Sequence, residues 1–273
     1  MLRRAMKKMA LHMPLKNMLW KECLINMKIV GIIPARYQST RFEGKPLADI
    51  CGKPMIWWVH YQFKKVKEID EIYVATDDER IEKVCNEYGI KTIMTKDTHP
   101  THLDRLSEVA EKVDADYYIN INGDEPLMMP EYIRFLLPTE KDSSKFYAAN
   151  AMTTIKSPVE VVDTARIKIA TDMQGYGMYM ARTPIPYPKA SANIVYKKFV
   201  GIQCFSRSAL LFCGETKRGT LESIEDIDEY RFLENGKKLK FVMTDATTLS
   251  VDTKKDLEKV REILTERIQN GEI

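Results

Sequence analysis

The stretch KIVGIIPARYQSTRFEGKPL (28–47) decides how the chain is read. KIVGII (28–33) is a short β-branched run suited to a buried strand, and Pro34 ends it. Working outward, PMIWWVHYQFKKV (54–66) predicts a helix with Pro54 in its first turn and Met55, Trp58, Val59 and Gln62 at helical spacing. EIYVAT (71–76) reads as the next strand. DERIEKVCNEYG (78–89) reads as a helix with Ile81, Val84, Cys85 and Tyr88 on one face and Gly89 as its C-terminal cap. IKTIMT (90–95), LDRLSEVAEKV (103–113) and DYYININ (116–122) continue as strand, helix and strand. This alternation predicts βαβ units: an α/β fold with a mainly parallel, Rossmann-like sheet and helices on both faces. Such sheets take ligands beyond the carboxyl ends of their strands, where the loops 34–46 and 123–126 both fall.

The second half is less regular. FYAANAMTTI (146–155), ARIKIATD (165–172), YGMYMAR (176–182), KKFVGIQCFS (197–206) and KFVMT (240–244) read as strands. TPIPYPKA (183–190), with three prolines, is neither helix nor central strand. Residues 208–235 hold helical segments, and DTKKDLEKVREILTERI (252–268) is a final helix capped by Asp252 or Thr253. The expected organisation is one α/β domain over 28–270, with a smaller β-rich lobe over 146–206 that closes over or pairs with something.

The net charge of +3 conceals an asymmetry. Residues 1–27 hold six basic groups and one acid, a net of +5, so the other 246 residues sum to 3 − 5 = −2. A slightly acidic body lacks the basic footprint of a nucleic-acid binder. The first segment also carries six of the fifteen methionines. Three readings stay open for it: a translation start at Met27, a disordered tail, or an amphipathic helix lying on a membrane surface. No run of 18 apolar residues suggests a transmembrane helix. Five widely spaced cysteines without a C-x-x-C pair read as reduced thiols of a cytoplasmic protein.

The loop 34–47 concentrates Arg36, Arg41 and Lys45 around Gly44, with Glu43 as the one nearby acid. Guanidinium forks and a mobile ammonium suit the oxygens of a polyphosphate, and Gly44 permits close backbone approach. The order of residues is neither a Walker A motif nor the dinucleotide glycine fingerprint. NGDEP (122–126) follows the strand YYINI, and Asp124 is the candidate ligand for Mg2+, a hard cation that takes one or two carboxylates plus phosphate oxygens. Asp252 in SVDT (250–253) is either a helix cap or a second carboxylate for the same ion. Three cations and remote carboxylates together point to a nucleoside triphosphate with Mg2+.

Several separated stretches then resemble one family in its order: the cytidylyltransferases that activate 3-deoxy-manno-octulosonate (Kdo), relatives of the acylneuraminate cytidylyltransferases. They are IIPARYQSTRFEGKPLADICGKPMIWWV (32–59), VATDDERI (74–81), HPTHLDRLSEV (99–109), NGDEPL (122–127), VDTARIKIATDMQGYGMYMARTPIP (162–186), VGIQCFSR (200–207), LESIEDIDEYR (221–231) and VDTKKDLEKV (251–260). The resemblance implies transfer of CMP from CTP to a sugar-acid hydroxyl with release of pyrophosphate, as in lipopolysaccharide precursor synthesis. It implies Mg2+ at Asp124 and Asp252, the triphosphate on Arg36, Arg41, Gly44 and Lys45, and a homodimer. Arg36, Lys45 and Asp124 are the catalytic candidates.

The family's Ser-Gly-Thr-Glu-Arg run beside the base is Thr101, His102, Leu103, Asp104, Arg105 here, so Thr101, His102 and Arg105 are assigned to the nucleotide. Asn122 replaces a glutamine, Phe199 and Gln203 stand in a His-Leu-Gly-Ile-Tyr-Gly-Tyr run, and Asp228 and Glu229 replace a Glu-Gln pair. With Lys168 and Arg182, these form the expected acceptor set. Since buried polar groups discriminate hydroxyl patterns strongly, the changes predict an acceptor different from Kdo itself, such as a modified sugar acid, with Kdo remaining the best single named candidate. The alternatives are a phosphonate, a phosphorylated alcohol, a smaller acid, or a catalytically weak CTP-binding homologue.

Overall fold

The computed structural model describes residues 27–39, 42–138, 145–190, 193–246 and 249–273. Residues 1–26 and Arg41 thus lie outside the described residues, and with them the readings attached to the amino-terminal segment and to that arginine.

The amino-terminal half alternates as its pattern predicts. Strand β1 (Ile29–Ala35) is followed by helix α1 (Met55–Phe63), β4 (Glu71–Thr76), α2 (Glu79–Glu87), β5 (Thr92–Met94), α3 (His102–Lys112) and β6 (Tyr117–Ile121). A two-stranded hairpin, β2 (Asp49–Ile50) with β3 (Lys53–Pro54), precedes α1 and was not anticipated; Cys51 and Gly52 turn it at φ 50° and 79°. After α4 (Glu131–Arg134) come β7 (Ala148–Thr154), α5 (Pro158–Val162), β8 (Lys168–Thr171), β9 (Gly177–Ala181) and β10 (Lys197–Ser206). The helical stretch after 206 resolves into α6 (Arg207–Glu215), α7 (Thr220–Glu225) and α8 (Tyr230–Glu234), followed by β11 (Lys240–Met243) and α9 (Lys254–Gln269).

The main sheet runs β11-β7-β10-β6-β1-β4-β5. β1, β4, β5 and β6 are parallel, whereas β10 runs against β6 and β7, and β11 is parallel to β7. The sheet is therefore mixed, with β10 as the reversed strand of this path. Within the region expected as a lobe, β7 and β10 belong to the main sheet. The projecting part is the β8–β9 hairpin, attached to β10 through Lys198 and Lys168.

Both sheet faces are covered, as continuous apolar strands require. Ile56, Val59 and Phe63 of α1, Ile81 and Cys85 of α2 and Ile133 of α4 pack on one face with Ile33, Ile119 and Ile202. Leu103, Leu106 and Val109 of α3, Leu210 of α6 and Phe232 of α8 pack on the other with Val30, Ile32 and Phe205. The last helix buries Leu257, Val260 and Leu264 against Met55 and Trp58 of α1. Tyr88, expected on the buried face of α2, is 37% exposed, because it caps the helix end under the Lys53 ammonium.

Candidate active site

The loop after β1 folds back on itself. Gly44 has φ 67° and donates its N–H to the Tyr37 carbonyl at 2.8 Å, and a Cβ there would meet the Tyr37 ring at 3.1 Å. This turn starts a 3-10 turn, Lys45–Leu47, with Pro46 buried, and the Lys45 side chain reaches across the sheet edge to Asp124. The Arg80 guanidinium lies 3.3 Å over the Tyr37 ring and braces the other side of the loop.

Across the edge, β6 is followed by Asn122-Gly123-Asp124-Glu125. A Cβ at Gly123 would stand 2.8 Å from the Pro34 carbonyl oxygen, so only glycine lets the ends of β1 and β6 approach this closely. Glu125 is buried and accepts a hydrogen bond from the Ser250 hydroxyl, while Val251 donates its N–H to the Asp124 carbonyl at 2.9 Å. These two links bring segment 250–252 alongside Asp124. Capping of α9 falls to Thr253, in a reciprocal box with Asp256, so Asp252 is not the helix cap. Lys45 Nζ stands 2.6 Å from Asp124 Oδ2 and 3.9 Å from Asp252 Oδ1. The basic loop and both distant carboxylates thus meet at one point.

Arg36, Lys45, His102, Arg105, Asn122 and Asp124 line a single cavity of about 360 Å³. A second cavity of about 660 Å³ adjoins it at Arg36 and is walled by Tyr37, Glu43, Asp77, Asp78 and Asp97. Arg36 donates to the His99 carbonyl at 2.9 Å. Its guanidinium is pressed below its ordinary value by burial and by Arg105, against the pull of Asp77, Asp228 and Asp104. Arg105 is fully buried and tied to Asp77 at 2.7 Å and to the Thr95 hydroxyl. Asp77 and Thr95 were missed in the sequence; adjacent acids directly after the strand EIYVAT were the available signal.

Thr101 is buried as the N-cap of α3, in a reciprocal box with Asp104, and it accepts from Arg231 at 3.3 Å. His102 Nδ1 is 2.5 Å from Asp228 Oδ2, and Nε2 is 3.3 Å from Gln203 Oε1 and 3.5 Å from Glu229 Oε1. Burial alone would lower the His102 pKa, but the Asp228 and Glu229 carboxylates outweigh it and hold the imidazole up at about 9. Burial raises Glu229, whereas the His102 cation keeps Asp228 below its usual range in spite of burial. Gln203 donates to Glu229 and accepts from Asn120 at 2.6 Å, and Asn120 also donates to Asn122 at 3.0 Å. Asn120, inside the strand YYINI, was not singled out from the sequence.

The remaining acceptor candidates lie apart from this cluster. Lys168 is fully buried and donates to the carbonyls of Asp163 and Arg182 at 2.6 and 2.7 Å. Arg182 bonds the carbonyls of Thr164, Glu225 and Asp226. Both cations spend their donors on backbone around the β8–β9 hairpin. Phe199 pairs with Met152 and packs against the core beneath α3.

Among the described residues no group of three or more His, Cys, Asp or Glu side chains gathers as a metal cage. The Asp124–Asp252 pair fits a different arrangement. It supplies two hard oxygen donors, already compensated by one cation, at an open cleft beside a basic loop. A Mg2+ ion completing its shell with triphosphate oxygens needs no more from the protein.

Residues 30–239 match the cytidylyltransferase family. The chain is 40% identical over 249 residues to the 3-deoxy-manno-octulosonate cytidylyltransferase of Geotalea uraniireducens, covering 87% of this chain and 99% of that one. It is 37% identical over 241 residues to the enzyme of the same name from Escherichia coli, with 88% and 98% coverage. A solved structure of CMP:2-keto-3-deoxy-manno-octonic acid synthetase complexed with CTP superposes with a TM-score of 0.82 at 37% identity, over 88% of this chain and 99% of that one. As fold alone, the likeness extends to a 4-diphosphocytidyl-2C-methyl-D-erythritol synthase from Anaerococcus prevotii, with a TM-score of 0.59 at 18% identity. A mixed α/β sheet whose carboxyl edge gathers this cleft, matched along almost the whole length of such relatives, places the chain in the 3-deoxy-manno-octulosonate cytidylyltransferase family.

Proposed function

We propose that this protein transfers CMP from CTP to the hydroxyl of a sugar acid, Kdo or a close derivative, and releases pyrophosphate. The observation that carries this reading is the meeting of Lys45 with Asp124 and Asp252, at 2.6 and 3.9 Å, in a cleft shared with Arg36. The acceptor hydroxyl oxygen forms a new bond to the α-phosphorus while the α–β bridging P–O bond breaks, its electron pair leaves with pyrophosphate, and the hydroxyl proton passes to solvent. Arg36 and Lys45 grip the triphosphate and compensate the charge that builds on the leaving group. Asp124 and Asp252 are the residues to hold Mg2+, which supplies Lewis-acid stabilisation of the phosphate oxygens when bound. Aligning two anionic substrates in one cleft supplies much of the remaining acceleration.

A second reading concerns the acceptor. The buried run Asn120–Gln203–Glu229, joined to His102 and Asp228, favours a modified Kdo over Kdo itself, since a fixed polar pattern rejects a mismatched one. The deciding experiment measures pyrophosphate release with CTP, UTP and ATP against Kdo, other sugar acids and phosphonates, with and without Mg2+. Mg2+-dependent release specific to CTP and a sugar acid is the expected result. No release with any acid, or release with a phosphonate alone, overturns the reading.

The homodimer is part of the proposal. Met178 and Val195, each 66% exposed, and Tyr187, 84% exposed, are large apolar side chains left open on and after β9 that a second copy would cover. Sedimentation at micromolar concentration is expected to give twice the chain mass; a monomer there overturns this part.

A further inference from the structure

His102 begins α3 on the wall of the cleft that holds Arg36, Lys45 and Asp124. Its ring is engaged on both edges, by Asp228 at Nδ1 and by Gln203 and Glu229 at Nε2, and its own peptide N–H also donates to Asp228 at 3.1 Å. An imidazolium so held has no N–H left to offer a cytosine ring. The contacts continue instead from His102 through Gln203 and Asn120 to Asn122, two residues before Asp124. Asn120, Gln203 and Glu229 are buried to 1, 1 and 2% exposure, so the partners beyond His102 are set by one another and by the ring. Without the ring cation, the Asp228 carboxylate loses its close counter-charge, and Gln203 and Glu229 lose the group that holds them toward α3.

We propose that His102 is a specificity-determining positioning residue for the acceptor, locking Asp228, Gln203 and Glu229 into one arrangement beside the triphosphate cleft, and that it does not read the nucleobase. This inference rests on the cytidylyltransfer reading of the same cleft and assigns the edge of the acceptor pocket to a residue that the resemblance puts with the nucleotide.

The test uses the full chain and measures pyrophosphate release while CTP and Kdo, or whichever sugar acid the panel selects, are varied separately. His102→Gly is expected to raise the acceptor KM about tenfold or more, the loss that follows from removing a hydrogen bond to a charged group, and to leave the CTP KM within about twofold. Asp228→Asn is expected to give the same split, and the double variant to add little to either single change, because both act through one contact. His102→Gln, a milder change that retains a donor, is expected to recover part of the acceptor KM. Thermal unfolding with and without CTP identifies any variant that fails to fold, and the split is then read from the others. An unchanged acceptor KM in the folded variants, or a CTP KM that rises as much as the acceptor KM, overturns the inference while leaving the activity intact. Wild-type protein inert toward every sugar acid overturns the activity and the inference with it.

Discussion

Lys45 and Asp124 touch, so each sets the other's role. Replacing Asp124 by Asn keeps the side-chain volume but removes the charge that faces Lys45 and on which the proposed Mg2+ site depends. The expected outcome is a fall in kcat of about 100-fold or more with CTP affinity little changed, the pattern of a group that stabilises mainly the transition state. Single-turnover pyrophosphate release alongside equilibrium CTP binding checks it, and unimpaired turnover would remove Asp124 from the metal assignment. His102 supplies a second prediction. Its pKa is raised from the ordinary 6.5 to about 9 in the folded protein, so the folded form gains stability from holding that proton. The gain is complete below the unfolded value and disappears as pH climbs through 9. The margin in melting temperature of wild type over His102→Gly is expected to shrink steadily between about pH 6.5 and 9, the window set by these two values. Parallel melting profiles for the two proteins would contradict it. At this scale the charges that gather at the cleft, Arg36, Lys45 and Asp124, were legible, because a concentration of charge in the loops after strands has few structural uses. The polar amides were not: Asn120 and Gln203 sit in apolar strands, and the pattern of a strand does not say which side chain faces another across it.

Elements bring these residues together through their ends. Thr253 caps α9 and shares Asp256 with the peptide N–H of Asp252, at 2.9 and 3.3 Å, so the cap also steadies the carboxylate beside Lys45. Thr253→Ala is expected to cost about 1 kcal/mol in denaturant unfolding, and to raise the Mg2+ concentration needed for half-maximal rate. A loss of stability with an unshifted Mg2+ response would separate the cap from the site. The crossing of β1 and β6 tolerates less. Gly123→Ala pushes a methyl to 2.8 Å from a backbone oxygen that no rotamer change can move. It is expected to destabilise by about 1–3 kcal/mol and to depress activity beyond that, because the two loops must part; an alanine variant of wild-type activity would refute the close approach. Elements were the most legible level, since β-branched runs and helical apolar spacing mark them directly. The direction of β10 was not. KKFVGIQCFS carries the same alternation whichever way it runs, and orientation is settled only by the partners it finds in β6 and β7.

Across the whole molecule, Arg231 links the carboxy-terminal helices to the mouth of the cleft. It is 1% exposed, bonds Glu222 of α7 at 3.0 Å and reaches Asp104 and Thr101 at the start of α3. Burial would lower its pKa, but the two carboxylates hold it above the ordinary value. Arg231→Ala takes the paired cation from Asp104, leaves buried Glu222 with Arg218 alone, and is expected to cost about 3–5 kcal/mol in urea unfolding. A cost below that of an ordinary surface change would show that the cluster is not a support. Nothing in the spacing of Asp104, Glu222 and Arg231 announced this cluster, since its members are more than one hundred residues apart at the extremes and only folding pairs them. The return of segment 250–252 to the edge formed by residues 122–125 has a further consequence in time. A nascent chain leaving the ribosome already possesses the loops that follow β1 and β6, yet it lacks the aspartate that closes their far side until more than one hundred further residues are made. Cleavage or premature termination before that point would therefore yield a product with a near-complete sheet and an unfinished catalytic mouth.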